Sequence, residues 1–365
     1  MRLSREFLDA RGRYRAVASG DRAQKPLQGT SPDADLEKTP EKRVETYAYG
    51  EREIFAIFAP MEKGIATVVK HTGSHYLLSV LPEWAPFPAV IRGRLRLAGT
   101  KTTNPIAVGD RVAFEGETIT KILPRKNYII RRSTNLSRES HIIAANLDRV
   151  FLLVTIILPE TKLAFVDRFL VTCEAYGIRP VILVNKVDLY TEPFLQEQLA
   201  AFKDLYRGAG YEVLEISARK GTGLAQVRAL CREGLTLFSG ASGVGKSSLL
   251  KALDPTLDPK IGEISLSHLQ GKHTTTFYEM HPLSGGGYVI DTPGIRGFGL
   301  VDIEAEELST YFPEMLRVMD ECRFKPCTHT HEPGCAVKAA LEAGTISAER
   351  YSSYLGMLEE EHKYR

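Results

Sequence analysis

The chain has 365 residues, with 47 Lys or Arg against 45 Asp or Glu and a formal net charge of +2. A hydrophobic fraction of 43% is enough to bury real cores, and roughly 150 residues per domain predicts two or three domains. No apolar run approaches the ~20 residues that cross a bilayer, and no signal-peptide core follows Met1, so a membrane-spanning or secreted protein is not expected. Five cysteines, three of them between Cys322 and Cys335, argue against a disulfide scaffold. Cys173 and Cys231 stand alone in helix-like sequence and read as small buried hydrophobes.

Residues 1–60 read as an extension. Residues 20–44 are polar, contain proline and lack an apolar period, which predicts disorder. Met61 sits immediately before the first well-patterned sequence.

Residues 61–132 read as all-β. GIATVVK, HYLLSV, AVIRGRLRL, DRVAFEG and TITKIL are short runs rich in β-branched residues and separated by turn formers. Five strands in this length predict an OB-type barrel, a fold that commonly binds oligonucleotides. The segment holds twelve basic and five acidic residues, +7, and leaves −5 on the rest. The near-neutral total therefore hides a basic domain suited to RNA. Arg92, Arg94 and Arg96 alternate, fall on one strand face and are candidate RNA contacts. Tyr76, Trp84, Phe87 and Tyr128 are candidate stacking surfaces for bases.

Residues 133–305 alternate strand-like and helix-like runs, which predicts a mostly parallel sheet covered by helices. Within them Gly240-Ala241-Ser242-Gly243-Val244-Gly245-Lys246-Ser247-Ser248 fits the phosphate loop GxxxxGK[ST] and lies between a strand, LTLFSG, and a helix, SSLLKAL. Glycines let backbone N–H groups turn toward phosphate oxygens. Lys246 is placed to reach the β- and γ-phosphates and Ser247 to ligate Mg²⁺. Asn185-Lys186-Val187-Asp188 ends the strand VILV and matches the NKxD motif. A carboxylate there can accept from guanine N1–H and N2–H₂ together, a donor pair that adenine lacks. Ser217-Ala218 follows EVLEI and reads as the loop that closes over the base. Asp291-Thr292-Pro293-Gly294 ends the strand YVI and reads as DxxG, with Asp291 toward Mg²⁺ and Gly294 near the γ-phosphate. In Lys272-His273-Thr274-Thr275-Thr276, Thr275 is the first choice for a switch residue that completes Mg²⁺ coordination. Ile295 stands where many GTPases carry a water-orienting Gln, so His273 becomes the candidate catalytic residue.

The order is permuted. NKxD and SA precede the phosphate loop, whereas ordinary GTPases place them last. The same sheet with relocated termini accounts for this, and DTPG then leads directly into the C-terminal segment.

Residues 306–365 contain Cys322-x4-Cys327-x-His329-x5-Cys335. Three thiolates and an imidazole close a tetrahedral, structural Zn²⁺ site. His331 is the alternative fourth ligand, with His329 favoured. AVKAALEAG and SAERYSSYLGMLEEEHK read as helices; the second carries Tyr351, Tyr354, Leu355 and Leu358 on one stripe.

These motifs, together with the GDRV and PRKN segments of the barrel, make residues 61–365 resemble the RsgA (YjeQ/YloQ) family of circularly permuted GTPases. The resemblance implies an OB domain, a permuted GTPase domain and a zinc domain. It implies GTP hydrolysis stimulated by the 30S ribosomal subunit, binding to 16S rRNA near the decoding region, and release of a late assembly factor. It also implies a catalytic role for His273 and zinc bound by Cys322, Cys327, His329 and Cys335. Such a protein is expected to act as a cytoplasmic monomer. The rival expectations are a permuted GTPase serving another RNA or protein, and an RNA-binding scaffold that holds GTP only as a ligand.

Overall fold

The computed structural model describes residues 63–72, 75–91, 105–132, 140–257, 278–291 and 303–363; all lie within one compact unit, Phe58–Arg365. The N-terminal extension predicted for residues 1–60 falls outside them. Five strands close a barrel: β1 (Lys63–Thr72), β2 (His75–Ser79), β3 (Phe87–Ile91), β4 (Arg111–Glu115) and β5 (Thr118–Ile122), in the order β1-β2-β3-β5-β4. β1 pairs with β4 through Lys63–Thr67 and with β2 through Thr67–Thr72, and its register shifts between Val68 and Lys70. That bulge supplies the bend a long strand needs to serve both sides of a small barrel. β3 and β5 run parallel. Ala66, Val68, Tyr76, Leu78, Val112, Phe114 and Ile119 fill the interior.

A two-stranded ribbon comes next, β6 (Tyr128–Arg132) with β7 (Ser140–Ala145). The buried Asp110 receives a fork from Arg125, Nε to Oδ1 at 2.6 Å and Nη2 to Oδ2 at 2.7 Å, and accepts the Ala107 N–H. Asn127 exchanges two 2.8 Å hydrogen bonds with the Leu147 backbone. A Cβ on Gly109, at φ +90°, would meet the Ala145 carbonyl oxygen at 2.1 Å. The GDRV and PRKN segments thus tie the barrel to the ribbon and to the loop that leads out of it.

The third layer is a sheet of β8 (Arg149–Val154), β9 (Pro180–Val184), β10 (Glu212–Glu215), β11 (Leu235–Gly240), β12 (Met280–Pro282) and β13 (Tyr288–Asp291) in the order β10-β9-β8-β11-β13-β12. All pairings are parallel except that of the edge strand β12. The central strands β8, β9 and β11 are mostly apolar and, Arg149 apart, buried on both faces because helices cover them. Val150, Leu152 and Val154 face α1 (Leu163–Ala175) and α2 (Pro193–Ala209), whereas Phe151 and Leu153 face α3 (Leu224–Cys231) and α4 (Lys246–Leu253). In α2, Leu195, Leu199, Phe202 and Tyr206 are buried at helical spacing, and Gly210 at φ +110° ends it as a left-handed cap. Cys173 and Cys231 are buried in these two cores, as expected.

The C-terminal segment is helical: α5 (Pro313–Leu316), α6 (Ala336–Glu342) and α7 (Ala348–Lys363). It packs on α1 through Val171, Leu308, Phe312, Met315, Tyr354 and Leu358. Among the described residues, no helix is long and apolar enough to cross a membrane.

Of the four aromatics expected to stack on bases, Tyr76 is buried, and Trp84, Phe87 and Tyr128 are partly buried, each with one face against another ring of this chain. Tyr76 is in the barrel core and Phe87 lies 5.0 Å from Phe114. Trp84 stacks on Tyr288 of β13, and Tyr128 packs on Tyr176 at the end of α1. Their apolar bodies are worth more in packing than exposed to water.

Candidate nucleotide site and metal centre

The chain enters the sheet at β8, moves outward through β9 and β10, then returns to the other side of β8 with β11. Beside the C-terminal ends of β8 and β11 the strand order reverses, the place where open α/β sheets bind ligands. The phosphate loop leaves β11 there, NKVD leaves β9 and Ser217-Ala218 follows β10. All three motifs therefore converge on one edge.

The loop backbone turns through Gly240, Gly243 and Gly245, all at positive φ. Close approach also demands two of these glycines. A Cβ at Gly240 would sit 2.5 Å from the Leu153 carbonyl oxygen, and one at Gly245 would sit 2.4 Å from Asn185 Nδ2. Lys246 opens α4 and is buried; its Nζ donates to the carbonyls of Gly240 at 2.8 Å and Ala241 at 3.1 Å. Burial pushes its pKa down, and the charge of Asp291 at the end of β13 acts against that. Ser242 and Ser248 are exposed, Ala241 and Ser247 partly buried, and Val244 is fully buried in the α3/α4 core.

Asn185 joins the motifs. Its Nδ2 donates to the Val244 carbonyl in the phosphate loop at 2.8 Å, and its Oδ1 accepts the Ala218 N–H at 3.1 Å. Its own carbonyl accepts from the Tyr190 hydroxyl at 2.7 Å. Lys186, in the left-handed region at φ 67°, donates to the carbonyls of Gly243 (2.8 Å) and Leu158. Asp188 Oδ1 accepts from Ser217 Oγ at 2.5 Å, and that hydroxyl accepts the Lys220 N–H at 3.0 Å. The carboxylate of Asp188 is thus aimed by a serine that the next loop holds.

Sequence reasoning missed Tyr190, Leu158 and Pro159 as parts of this edge. Tyr190 is fully buried and holds both the NKVD backbone and the Ile156 N–H. Its only signal in the sequence is its place two residues after Asp188. His273, Thr275, Gly294, Arg92, Arg94 and Arg96 lie outside the described residues.

At the other pole, the side chains of Cys322, Cys327, His329 and Cys335 converge, their ligand atoms all within 4.8 Å of one another. His329 Nδ1 lies 3.6 Å from Cys322 Sγ and 3.4 Å from Cys335 Sγ, and these two sulfurs are 3.9 Å apart. Zinc bonds of about 2.3 Å to sulfur and 2.0–2.1 Å to nitrogen give tetrahedral edges of roughly 3.5–3.8 Å, so the four side chains fit a zinc ion. His331 turns away, exposed, its Nδ1 2.9 Å from Thr330 Oγ1. The loop is built for His329. Tyr351 and Tyr354 of α7 donate to the carbonyls of His329 (2.6 Å) and Thr328 (2.7 Å). Glu332 accepts from Thr328 and from the N–H groups of Thr330 and His331, and these bonds outweigh its burial and hold its carboxyl down at about 2. Burial pushes the Cys327 thiol up to about 12, with Cys335 and Cys322 adding to it; a divalent cation reverses that preference by pairing with the thiolates.

This fold and edge define a class: a P-loop GTPase whose guanine-recognition segments precede its phosphate loop, a circular permutation. The RsgA GTPase family model matches residues 122–301. The small ribosomal subunit biogenesis GTPase RsgA of Flavobacterium psychrophilum is 50% identical over 307 residues, 82% of this chain and 94% of that protein. The crystal structure of YjeQ from Thermotoga maritima superposes with a TM-score of 0.69 at 31% identity, over 83% of this chain and 100% of that one. That of YloQ, a circularly permuted GTPase, gives 0.64 at 28%, over 84% and 98%. The chain belongs to the RsgA GTPase family.

The metal expectation has a direct check. The purified protein is expected to carry about one zinc per chain, and Cys335→Ser to lose it, because two of three thiolates and one imidazole leave an open site. Elemental analysis reads this, and a wild-type value well below one would contradict it.

Proposed function

We propose that the chain hydrolyses GTP during maturation of the small ribosomal subunit, binding the 30S particle through its 16S rRNA and weakening that hold after hydrolysis. The observation that carries this is Asn185, which fastens the guanine-recognition loops to the phosphate loop in a chain whose relatives are named for small-subunit biogenesis. Asp188 reads guanine, with Ser217 and Ala218 closing the base side. The N–H groups of residues 240–248 cradle the phosphates and Lys246 moves from its carbonyl partners to the β- and γ-oxygens. Ser247 and Thr275 would hold Mg²⁺, with Asp291 behind it; bound there, the ion neutralises charge developing on the phosphates. Gly294 donates its N–H toward the γ-phosphate. His273 orients the attacking water in place of the glutamine that Ile295 replaces. Cys322, Cys327, His329 and Cys335 hold one structural zinc.

We assign residues 1–60 to an N-terminal extension, 61–132 to an RNA-binding barrel with Arg92, Arg94 and Arg96 toward RNA, 133–305 to the GTPase domain and 306–365 to the zinc domain. The protein acts as a cytoplasmic monomer. The test is GTP turnover with and without 30S subunits, for wild type and His273→Ala. Subunits are expected to raise wild-type kcat by an order of magnitude or more, and His273→Ala to lose most of that while still binding GTP, since positioned proton and water handling is worth about 10²–10⁴-fold. An unstimulated wild type would overturn the reading; an undiminished His273→Ala would remove only the histidine.

A further inference from the structure

The barrel is seated on one particular piece of the sheet, the hairpin β12–β13. Lys70 of β1 forms a backbone bridge to Glu279, and Lys70 Nζ lies 2.7 Å from Glu279 Oε2. Trp84 stacks on Tyr288, ring centroids 5.8 Å apart, and the Tyr288 hydroxyl donates to the Pro82 carbonyl at 3.2 Å. Val69 of β1 packs in the same core as Tyr278, Met280 and Ile290. The barrel thus covers the otherwise open edge of β12.

The register says what is being held. Met280 pairs with Ile290 and Pro282 with Tyr288 in antiparallel order, so Glu279 falls directly across from Asp291, the first residue of DTPG. Lys70 grips that open end, and Trp84 grips the turn end through Tyr288. At the turn itself the Ser284 N–H donates to Asp254 Oδ2 at 2.6 Å, just after the helix that Lys246 begins. In sequence Glu279 also follows Thr275 by four residues. In the proposed function one short hairpin therefore separates the two segments assigned to the γ-phosphate, and it is attached both to the barrel and to the phosphate-loop helix.

We infer that Trp84 and the Lys70–Glu279 pair are positioning residues for hydrolysis: through them a barrel loaded with RNA sets the hairpin that carries Asp291. They touch neither nucleotide nor RNA in this scheme. Their effect belongs to turnover on the ribosomal subunit, not to GTP binding or to basal turnover. The inference rests on the function proposed above.

The test compares wild type, Trp84→Ala, Lys70→Glu, Glu279→Lys and the charge-swapped pair Lys70→Glu/Glu279→Lys. GTP affinity, basal turnover and pelleting with 30S subunits are measured beside kcat at saturating 30S. The three single variants are expected to keep GTP affinity, basal turnover and subunit binding within about twofold while losing about tenfold in stimulated kcat, and the swapped pair to regain most of it. Lys70 and Glu279 are each about one-third exposed, 34% and 38%, so their reversal does not threaten folding even if Trp84→Ala does. Stimulated kcat unchanged in Glu279→Lys, or not recovered in the swapped pair, overturns this inference and leaves the proposed function standing. A wild type that 30S does not stimulate overturns both.

Discussion

Lys246→Ala is expected to lower GTP turnover by about 10²–10³-fold, the cost of removing one preorganised charge from the place where phosphate charge develops. The side chain is buried, 8% exposed, with its ammonium 2.8 and 3.1 Å from carbonyls of its own loop. Those carbonyls keep it at the loop without neutralising it, so the charge is already beside the site when nucleotide arrives and only the side chain has to turn to the phosphates. Lys246→Arg is not a rescue, since a planar fork does not fit a nest shaped for a compact ammonium. Single-turnover kinetics with GTP checks the prediction. A variant that keeps more than about a tenth of wild-type turnover would contradict it, and an unchanged melting temperature separates lost chemistry from lost folding.

Arg350→Ala is expected to be the most destabilising single change among the described residues. Arg350 of α7 is 1% exposed. It donates to Asp167 of α1 at 2.8 Å and to both oxygens of Glu314 on α5 at 2.7 and 3.2 Å, and its guanidinium lies 4.6 Å from the Phe312 ring centroid. Tyr206 of α2 also donates to Asp167, at 2.9 Å. Removing the cation leaves two buried carboxylates without a counter-charge, a loss of about 3–5 kcal/mol. At roughly 2–4 °C per kcal/mol for domains of 150–250 residues, the melting temperature should fall by about 10 °C. Arg350→Lys should recover only part, because a point charge cannot serve both carboxylates with fork geometry. A drop under about 3 °C in Arg350→Ala would refute the account. The adjacent Tyr351 and the nearby Tyr354 hold the metal loop, so zinc content should fall together with stability.

Much of the site is legible in the amino-acid sequence. GASGVGKSS, NKVD, SA and DTPG are read locally, because each needs particular residues at particular offsets: glycine where a Cβ would strike Leu153 or Asn185, a carboxylate where guanine offers two donors. The strands β8 and β9 are equally plain as apolar runs, and β11 is read from LTLFSG running into the phosphate loop. The β6–β7 ribbon is not, since neither YIIRR nor SHIIAA has a hairpin turn to announce it. The aromatics mislead for a related reason. Trp84 and Tyr128 look fully available in a basic β domain, and only the docking of that domain shows that Tyr288 and Tyr176 each take up one of their faces. Spacing leaves His329 and His331 nearly equivalent. Loop geometry makes the choice, with His329 at φ 58° and its carbonyl held by Tyr351.

The sequence alone determined that this is a P-loop protein with its guanine-recognition motifs in permuted order and a cysteine–histidine cluster after them, because those patterns are short-range and survive relocation of the chain ends. The tertiary structure decided how the parts are fastened. Arg350 finds Asp167 across 183 residues, and Lys70 of the barrel finds Glu279 immediately before β12. Pairings at such separations are set by the packing of entire layers, and no local pattern encodes them.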